Sequence, residues 1–342
     1  MKFLIAGMGS IGRRHLRNLQ ALGERDILLF RTHQSTLPEA DLAGFPVYTD
    51  LGQALAQKPD AVVISNPTAL HLEVALPAAQ AGCHLLLEKP VSHTLEGLAE
   101  LQQVVQRRNV QVLVGYQYRF HPALRQLKER LEQGAIGRPL SARAVYAEYL
   151  PTMHPWEDYR QGYGARRDLG GGVILTLCHP IDTLRWLLGE VDELWAFAGS
   201  LNEYGLDVVD TAELGLQFGS RALGSIHLDY NRRPRQHSLE ITGSSGVLRW
   251  DDASNCTEWF DIEHNRWETL PAPTGFFGGP AFDRNDMFLA EMKHFREVVS
   301  GQASPACGLA DGVQSLRVAL AAHHSAGAGE RVRMYQFGAG QG

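Results

Sequence analysis

The chain has 342 residues, of which 44% are hydrophobic and 20% charged, and a net charge of −6 from 38 acidic and 32 basic side chains. That is enough for two ordinary apolar cores, with no basic excess to neutralise a phosphate backbone, so nucleic acid is not an expected partner. Cys83, Cys178, Cys256 and Cys307 fall in no CxxC or Cys/His ligand spacing, which argues against a metal site and against a disulfide framework. No apolar run reaches the roughly 18 residues of a membrane span, and the short apolar start meets Gly7 without the longer core of an export signal. No membrane association is expected, and reduced thiols fit a cytoplasmic protein.

In chain order, short apolar runs alternate with amphipathic stretches over the first 120 residues, the pattern of βαβ units around a parallel sheet. The predicted strands are Lys2–Ala6, Ile27–Arg31, Ala61–Ser65, His84–Leu87 and Val110–Gly115. A helix is predicted over Thr94–Arg108 with Leu95, Leu98, Leu101 and Val105 on one stripe, and Pro77 argues against an unbroken helix over Leu70–Ala81. Beyond Pro122 a helix with Leu124, Leu127 and Leu131 runs to Gly134, and a second domain begins, giving domains at 1–120 and 121–342. Ser141–Tyr149, Glu193–Ala198, Asp210–Phe218, Ala222–Tyr230, Ser238–Thr242 and Gly246–Trp250 read as consecutive strands of a largely antiparallel open sheet. Helices are predicted over Gly172–Leu188, Asn285–Val299 and Ala310–Ala326, the second with Phe288, Met292, Phe295 and Val299 on a stripe. There is no internal repeat, and the only low-complexity segment is Phe337–Gly342. The fold class is therefore α/β: an amino-terminal doubly wound parallel sheet followed by an α+β domain.

Gly7-Met8-Gly9-Ser10-Ile11-Gly12 matches G-x-G-x-x-G, follows an apolar strand and opens a helix, the context in which that motif cradles a dinucleotide pyrophosphate at a helix N-terminus. A tight turn without a ligand is the bland alternative. About 20 residues on, where an acid would bind the ribose hydroxyls of NAD, stand Arg31-Thr32-His33. A guanidinium and a hydroxyl suit a 2′-phosphate, so the reading leans to NADP over NAD; the alternative is an exposed strand-end arginine in a chain with 27 arginines and five lysines. Leu87-Glu88-Lys89-Pro90 closes the fourth strand at the carboxyl edge, where Lys89 can donate to a carbonyl or stabilise an alkoxide; a solvated lysine before a turn is the alternative. Gly170-Gly171-Gly172 enters a helical stretch on which Thr176, His179 and Asp182 would share a face, His179 being an apt base near neutrality, although a lone helical histidine is more often a satisfied core residue. Upstream, His154, Trp156, Tyr159, Arg160, Tyr163 and Arg166 form a polar, aromatic stretch suited to a polyhydroxylated ligand, or an ordinary surface loop.

Taken together, these residues resemble the Gfo/Idh/MocA family of NAD(P)-dependent oxidoreductases over nearly the whole chain. The resemblance is carried by Gly7, Gly9 and Gly12, by Pro67 to His71 as Pro-x-x-x-His, and by Glu88-Lys89-Pro90. It continues in Gly115, Tyr116, Arg119 and Phe120 and in the triple glycine followed by His179-x-x-Asp182. It implies an amino-terminal Rossmann domain, a carboxyl-terminal domain whose open sheet makes subunit contacts in a homodimer or homotetramer, and Lys89 and His179 as the catalytic pair. Cofactor contacts are then expected from Gly7, Gly9, Ser10, Ile11, Gly12, Arg31, Thr32, Asn66, Pro67, His71, Glu88 and Lys89. Substrate contacts are expected from Tyr116, Arg119, Tyr159, Arg160, Tyr163, Thr176 and His179. Many members carry an aspartate three or four residues before the histidine; here Thr176 and Leu175 stand there, so an acid–base role is absent or supplied elsewhere. The expected function is hydride transfer between NAD(P) and a secondary alcohol or ketone of a sugar, cyclitol or nucleotide-linked sugar. The alternatives are a reductase or dihydrodiol-type dehydrogenase for a non-sugar substrate and a non-catalytic dinucleotide-sensing regulator.

Overall fold

The computed structural model describes residues 1–32, 42–153, 155, 158–202 and 205–338. His33, His154, Trp156 and the last four residues of the glycine-rich tail lie outside the described residues. Two compact units form: Met1–Tyr116 with Asp168–Gly170 and Phe288–Leu316, and Gln117–Arg167 with Gly171–Met287 and Arg317–Gly342. Among the described residues no helix is long and apolar enough to cross a membrane.

The first unit takes its elements in the order β1 (Phe3–Ala6), α1 (Ser10–Ala21), β2 (Ile27–Phe30), β3 (Val47–Tyr48), α2 (Leu51–Leu55), β4 (Ala61–Ile64), α3 (His71–Gln80), β5 (His84–Glu88), α4 (Leu98–Arg108) and β6 (Val112–Gly115). The six strands are parallel in the order β3-β2-β1-β4-β5-β6, a doubly wound sheet whose order reverses beside β1. The strands FLIA, AVVI and HLLLE are apolar runs without alternation because helices cover both faces, and every residue of β1 and β4 is fully buried. Two helix expectations are corrected. The predicted helix from Thr94 starts at Leu98, because Gly97 takes the left-handed conformation at φ 75°, and Leu95 lies before it. Pro77 is accommodated inside a continuous α3.

The second unit opens with α5 (Pro122–Glu132), β7 (Pro139–Ala147), α6 (Leu150–Met153), α7 (Val173–Thr176) and α8 (His179–Leu188). Strands β8 (Val191–Gly199), β9 (Thr211–Phe218), β10 (Leu223–Asp229), β11 (Gln236–Gly243), β12 (Gly246–Asp251), β13 (Cys256–Asp261) and β14 (Arg266–Thr269) follow; the chain then gives helix α9 (Arg284–Val299), which belongs to the first unit from Phe288, helix α10 (Leu309–Ala328), which belongs to it as far as Leu316, and strand β15 (Val332–Arg333) back in the second unit. Nine strands run β14-β13-β12-β11-β7-β10-β9-β8-β15, all neighbours antiparallel except the parallel pair β7 and β10. Along β9 burial alternates strictly, so one face of this sheet is packed and the other is open. On the open face Phe197 is 63% exposed and Leu223 58%. The predicted single helix over Gly172–Leu188 is two helices. Pro180 offers no N–H, and its ring would meet the carbonyl four residues back, so the chain breaks at Leu177-Cys178 between Thr176 and His179.

His121 caps α5: its Nδ1 accepts the Ala123 N–H at 3.2 Å, and Pro122 at the first helical position needs no partner. Burial lowers the pKa of this fully buried imidazole to about 4. The unfolded chain binds a proton near pH 6.5 that the folded chain refuses, so this stability is present above about pH 6.5 and is lost as pH falls toward 4, about 3 kcal/mol in all. His121→Asn, which keeps a capping acceptor, is expected to shrink that loss, read as a smaller fall in Tm between neutral and mildly acidic pH than in the native chain.

Candidate active site

In the first unit the β1–α1 turn is pressed onto the end of β4. A Cβ on Gly7, at φ 93°, would lie 2.5 Å from the Asn66 nitrogen, and one on Gly12 would lie 2.0 Å from the Gly7 carbonyl oxygen. Ser65 Oγ donates to the Gly7 carbonyl at 2.9 Å and locks the approach. At Gly9, by contrast, a Cβ would meet nothing within 4 Å. Gly9 is also the N-cap of the twelve-residue α1, and no side chain caps the helix and no acid occupies its first turn. The N–H groups of the α1 start, at Ser10, Ile11 and Gly12, together with open space at Gly9, fit a dinucleotide pyrophosphate.

At the end of β2, Arg31 is 6% exposed, which removes the reading of it as an exposed strand-end arginine, and Thr32 is exposed. Asn66 and Pro67 form the turn after β4, where Asn66 Nδ2 donates to the Leu70 carbonyl at 2.8 Å. His71 Nε2 bonds the Asn66 carbonyl at 3.0 Å, and burial lowers its pKa to about 4, so a neutral ring pins that turn. Glu88 ends β5, with its Oε1 2.8 Å from His15 Nε2 and its Oε2 accepting the Lys89 N–H at 3.2 Å. Burial pushes the Glu88 pKa up, but the His15 bond and the charges of His15 and Lys89 outweigh it and hold the carboxyl below its ordinary range. Lys89 is half-buried and its bond to Pro90 is cis; Tyr116, just past β6, is 1% exposed.

In the second unit His179 starts α8 at 3% exposure, with Gln117 Nε2 3.2 Å from its Nε2. An amide N–H donates there, so the neutral ring carries its proton on Nδ1 and offers Nε2 as a lone pair. Tyr118 meets the ring edge-on at 4.9 Å. Arg119 is paired with Asp182: Nε and Nη2 donate to the two carboxylate oxygens at 2.9 and 2.7 Å, both side chains buried. Thr176 and Tyr230 stand side by side at Gly164, where a Cβ would lie 3.3 Å from the Tyr230 hydroxyl and 3.5 Å from Thr176 Oγ1; the Tyr230 hydroxyl donates to the Gly164 carbonyl at 3.2 Å, and burial drives its pKa well up. A Cβ on Gly171 would lie 2.2 Å from the Tyr163 carbonyl oxygen, so the triple glycine brings the segment of Tyr163 against the start of α7. Tyr159 and Tyr163 are half-buried; Arg160 is exposed, stacked over Tyr159 at 4.8 Å and 3.8 Å from Asp158. Gln117 and Tyr230 were missed from sequence. Gln117 falls inside the Gly115-to-Phe120 motif, whereas nothing local marks Tyr230.

Residues 1–116 match the model of the oxidoreductase family with an NAD-binding Rossmann fold, and residues 124–249 match the GFO/IDH/MocA C-terminal domain. The 1,5-anhydro-D-fructose reductase of Ensifer adhaerens is 30% identical over 276 residues, 79% of this chain and 78% of the relative. The myo-inositol 2-dehydrogenase of Thermotoga maritima is 28% identical over 341 residues, 95% of this chain and 96% of the relative. Among solved structures, levoglucosan dehydrogenase in complex with NADH and L-sorbose has the same fold, with a TM-score of 0.85 at 22% identity over 99% of this chain and 100% of that one.

The Arg119–Asp182 pair fastens the segment after β6 to α8. Arg119→Ala leaves a buried carboxylate without its partner and is expected to cost about 3–5 kcal/mol in denaturant unfolding, whereas Arg119→Met with Asp182→Leu recovers most of that loss.

Proposed function

The chain belongs to the GFO/IDH/MocA oxidoreductase family, and from that premise we propose that it transfers a hydride between a nicotinamide dinucleotide and a secondary alcohol or ketone of a sugar or cyclitol. The observation that carries this reading is the arrangement of one sheet edge. β1, β4 and β5 are parallel neighbours, so the uncapped α1 start with open Gly9, the Asn66-Pro67 turn and Lys89 all leave the sheet at its carboxyl edge. The relatives named above reduce an anhydro-sugar or oxidise an inositol, which supports a polyol or its ketone as the substrate class.

Bound at the α1 start, the dinucleotide supplies the hydride acceptor or donor. Gly7, Gly9, Ser10, Ile11 and Gly12 would hold its pyrophosphate, and Asn66, Pro67, His71 and Glu88 would supply the further dinucleotide contacts. Arg31 and Thr32 stand where the adenosine ribose is read. A buried guanidinium with no carboxylate in the β2-end motif favours a 2′-phosphate, hence NADP. In the oxidative direction His179 takes the hydroxyl proton on Nε2, the position now given to Gln117, while Lys89 stabilises the alkoxide as the hydride leaves its carbon and the C–O bond becomes a carbonyl. In reduction His179 returns the proton and Lys89 polarises the carbonyl. Tyr116, Tyr159, Arg160, Tyr163 and Thr176 supply substrate contacts, with Arg119 acting through Asp182. Self-association through the open sheet face is supported by exposed Phe197, which meets Trp195 edge-on, and Leu223 on the same face.

One observation favours a second reading, a dinucleotide-sensing regulator. Thr176, with Tyr230 beside it at Gly164, is a hydroxyl where many relatives, by resemblance, carry an acid. Titration with NADPH and NADH, followed by keto-sugars and cyclitols in both directions with nicotinamide absorbance as the readout, separates the two: turnover supports the enzyme, and binding without turnover on any substrate supports the regulator. Lys89→Met and His179→Ala are each expected to lower kcat by about 10²–10⁴ with dinucleotide affinity intact, and survival of turnover within a few-fold removes the residue concerned from its role. Arg31→Asp is expected to move the NADP/NAD affinity ratio toward NAD; an unchanged ratio ends the Arg31 assignment.

A further inference from the structure

The reaction above leaves a fully buried acid unused. Glu291, on α9, is 0% exposed, and among the described residues neither of its carboxyl oxygens has a hydrogen-bond partner. It lies on the apolar stripe of α9 with Phe288, Met292 and Phe295, a stretch that belongs to the first unit, where Phe295 meets Phe3 and Phe288 meets His15. The stripe thereby carries Glu291 to His15 on α1 and Glu88 on β5, and ligand atoms of the three side chains all lie within 4.8 Å of one another. Glu88 has its donors, His15 Nε2 and the Lys89 N–H; Glu291 has none and faces a carboxylate.

We propose that Glu291 is kept as a neutral carboxylic acid whose proton is directed at Glu88, and that through Glu88 it is a positioning residue for Lys89. The role assigned to Lys89 is the one proposed above, and the inference about its positioning rests on that reading. Burial drives the Glu291 pKa well up, and the charge of Glu88 drives it the same way. The charged and titratable groups facing this acid are His15 from α1 and Glu88 from β5. Beyond Glu88 stand Lys89 and His71, both of which feel its charge, and Arg14 lies over Phe288 at 4.5 Å. With the Glu291 proton as a further donor beside His15 Nε2 and the Lys89 N–H, the ionised Glu88 carboxylate that accepts the Lys89 amide keeps one orientation, and so does the chain from which the ammonium projects.

The sign of the pH dependence follows from the raised pKa. The folded chain holds a proton that the unfolded chain gives up in the ordinary carboxylate range, so native stability falls as pH rises from that range toward the folded value. Thermal unfolding of the full-length protein and of Glu291→Gln, whose amide keeps an N–H donor, is expected to give equal Tm near about pH 5 and a growing advantage for the variant up to about pH 8. A Tm deficit for the variant that is the same at every pH means an ionised Glu291 and overturns the proposal. A rise in native Tm with added Zn²⁺ or Mn²⁺, abolished in Glu291→Gln, means that the three side chains hold a metal, which also overturns it. These scans need no turnover, so they stand apart from the catalytic reading. For the positioning role, Glu291→Leu is expected to lower kcat by about tenfold or more and to displace its pH profile at unchanged KM for the dinucleotide, with Glu291→Gln restoring both. A Leu variant that folds and keeps the native profile overturns that half.

Discussion

The chemistry of the first unit depends on keeping one carboxylate ionised inside an apolar parallel sheet. Glu88 follows Leu85, Leu86 and Leu87, all fully buried, and is itself 7% exposed. Burial alone favours the neutral acid; the His15 bond, the Lys89 amide and the neighbouring positive charges reverse this. The sheet makes room for the arrangement at Gly115, directly across in β6, where a Cβ would lie 3.1 Å from the Glu88 carboxylate. A strand of unrelieved apolar residues can therefore end in a fixed anion whose next residue is a lysine.

The same edge of the sheet solves a second constraint, the delivery of unsatisfied helix N–H groups to an anion. Gly7 and Gly12 have no room for a side chain because the turn lies against Ser65 and Asn66, whereas at Gly9 nothing among the described residues lies within 4 Å of where a Cβ would stand. The three glycines of one motif thus do three different jobs: a left-handed turn, an open approach and a tight crossing. The neutral His71 holds the adjacent Asn66 carbonyl, so the turn after β4 is set by the protein itself.

How much of this was legible in the sequence depended on whether the signal was local. The apolar strands, the glycine motif and Glu88-Lys89-Pro90 are contiguous, and their order predicts a parallel sheet with ligand groups at its carboxyl edge. The parallel pairing of β7 with β10 is not local: consecutive strands suggest antiparallel neighbours, and this pair is joined across more than seventy residues. Pro180 was visible, but the helical spacing of Thr176, His179 and Asp182 hid the break it imposes, and the buried pairing of Arg119 with Asp182 depends on where α8 starts. Glu291 left a faint trace, an acid three residues after Phe288 and four before Phe295 on an apolar stripe. Its partner Glu88 is two hundred residues away, so no window of sequence shows the two together.

Why the proton belongs to Glu291 and not to Glu88 follows from magnitudes. Two ionised carboxylates with oxygens no more than 4.8 Å apart repel by at least about 3 kcal/mol at an effective dielectric constant of 20, and more in a drier interior. Each must also be stripped of water, and hydrogen bonds to a charged group return about 1.5–3 kcal/mol apiece. Glu88 collects two such bonds and Glu291 collects none, so ionising Glu88 is offset while ionising Glu291 is not. A single proton on Glu291 removes the repulsion and supplies the donor that the cluster lacks. The acid that appears unsuited to an apolar helix face is, in its neutral form, the group that fits there.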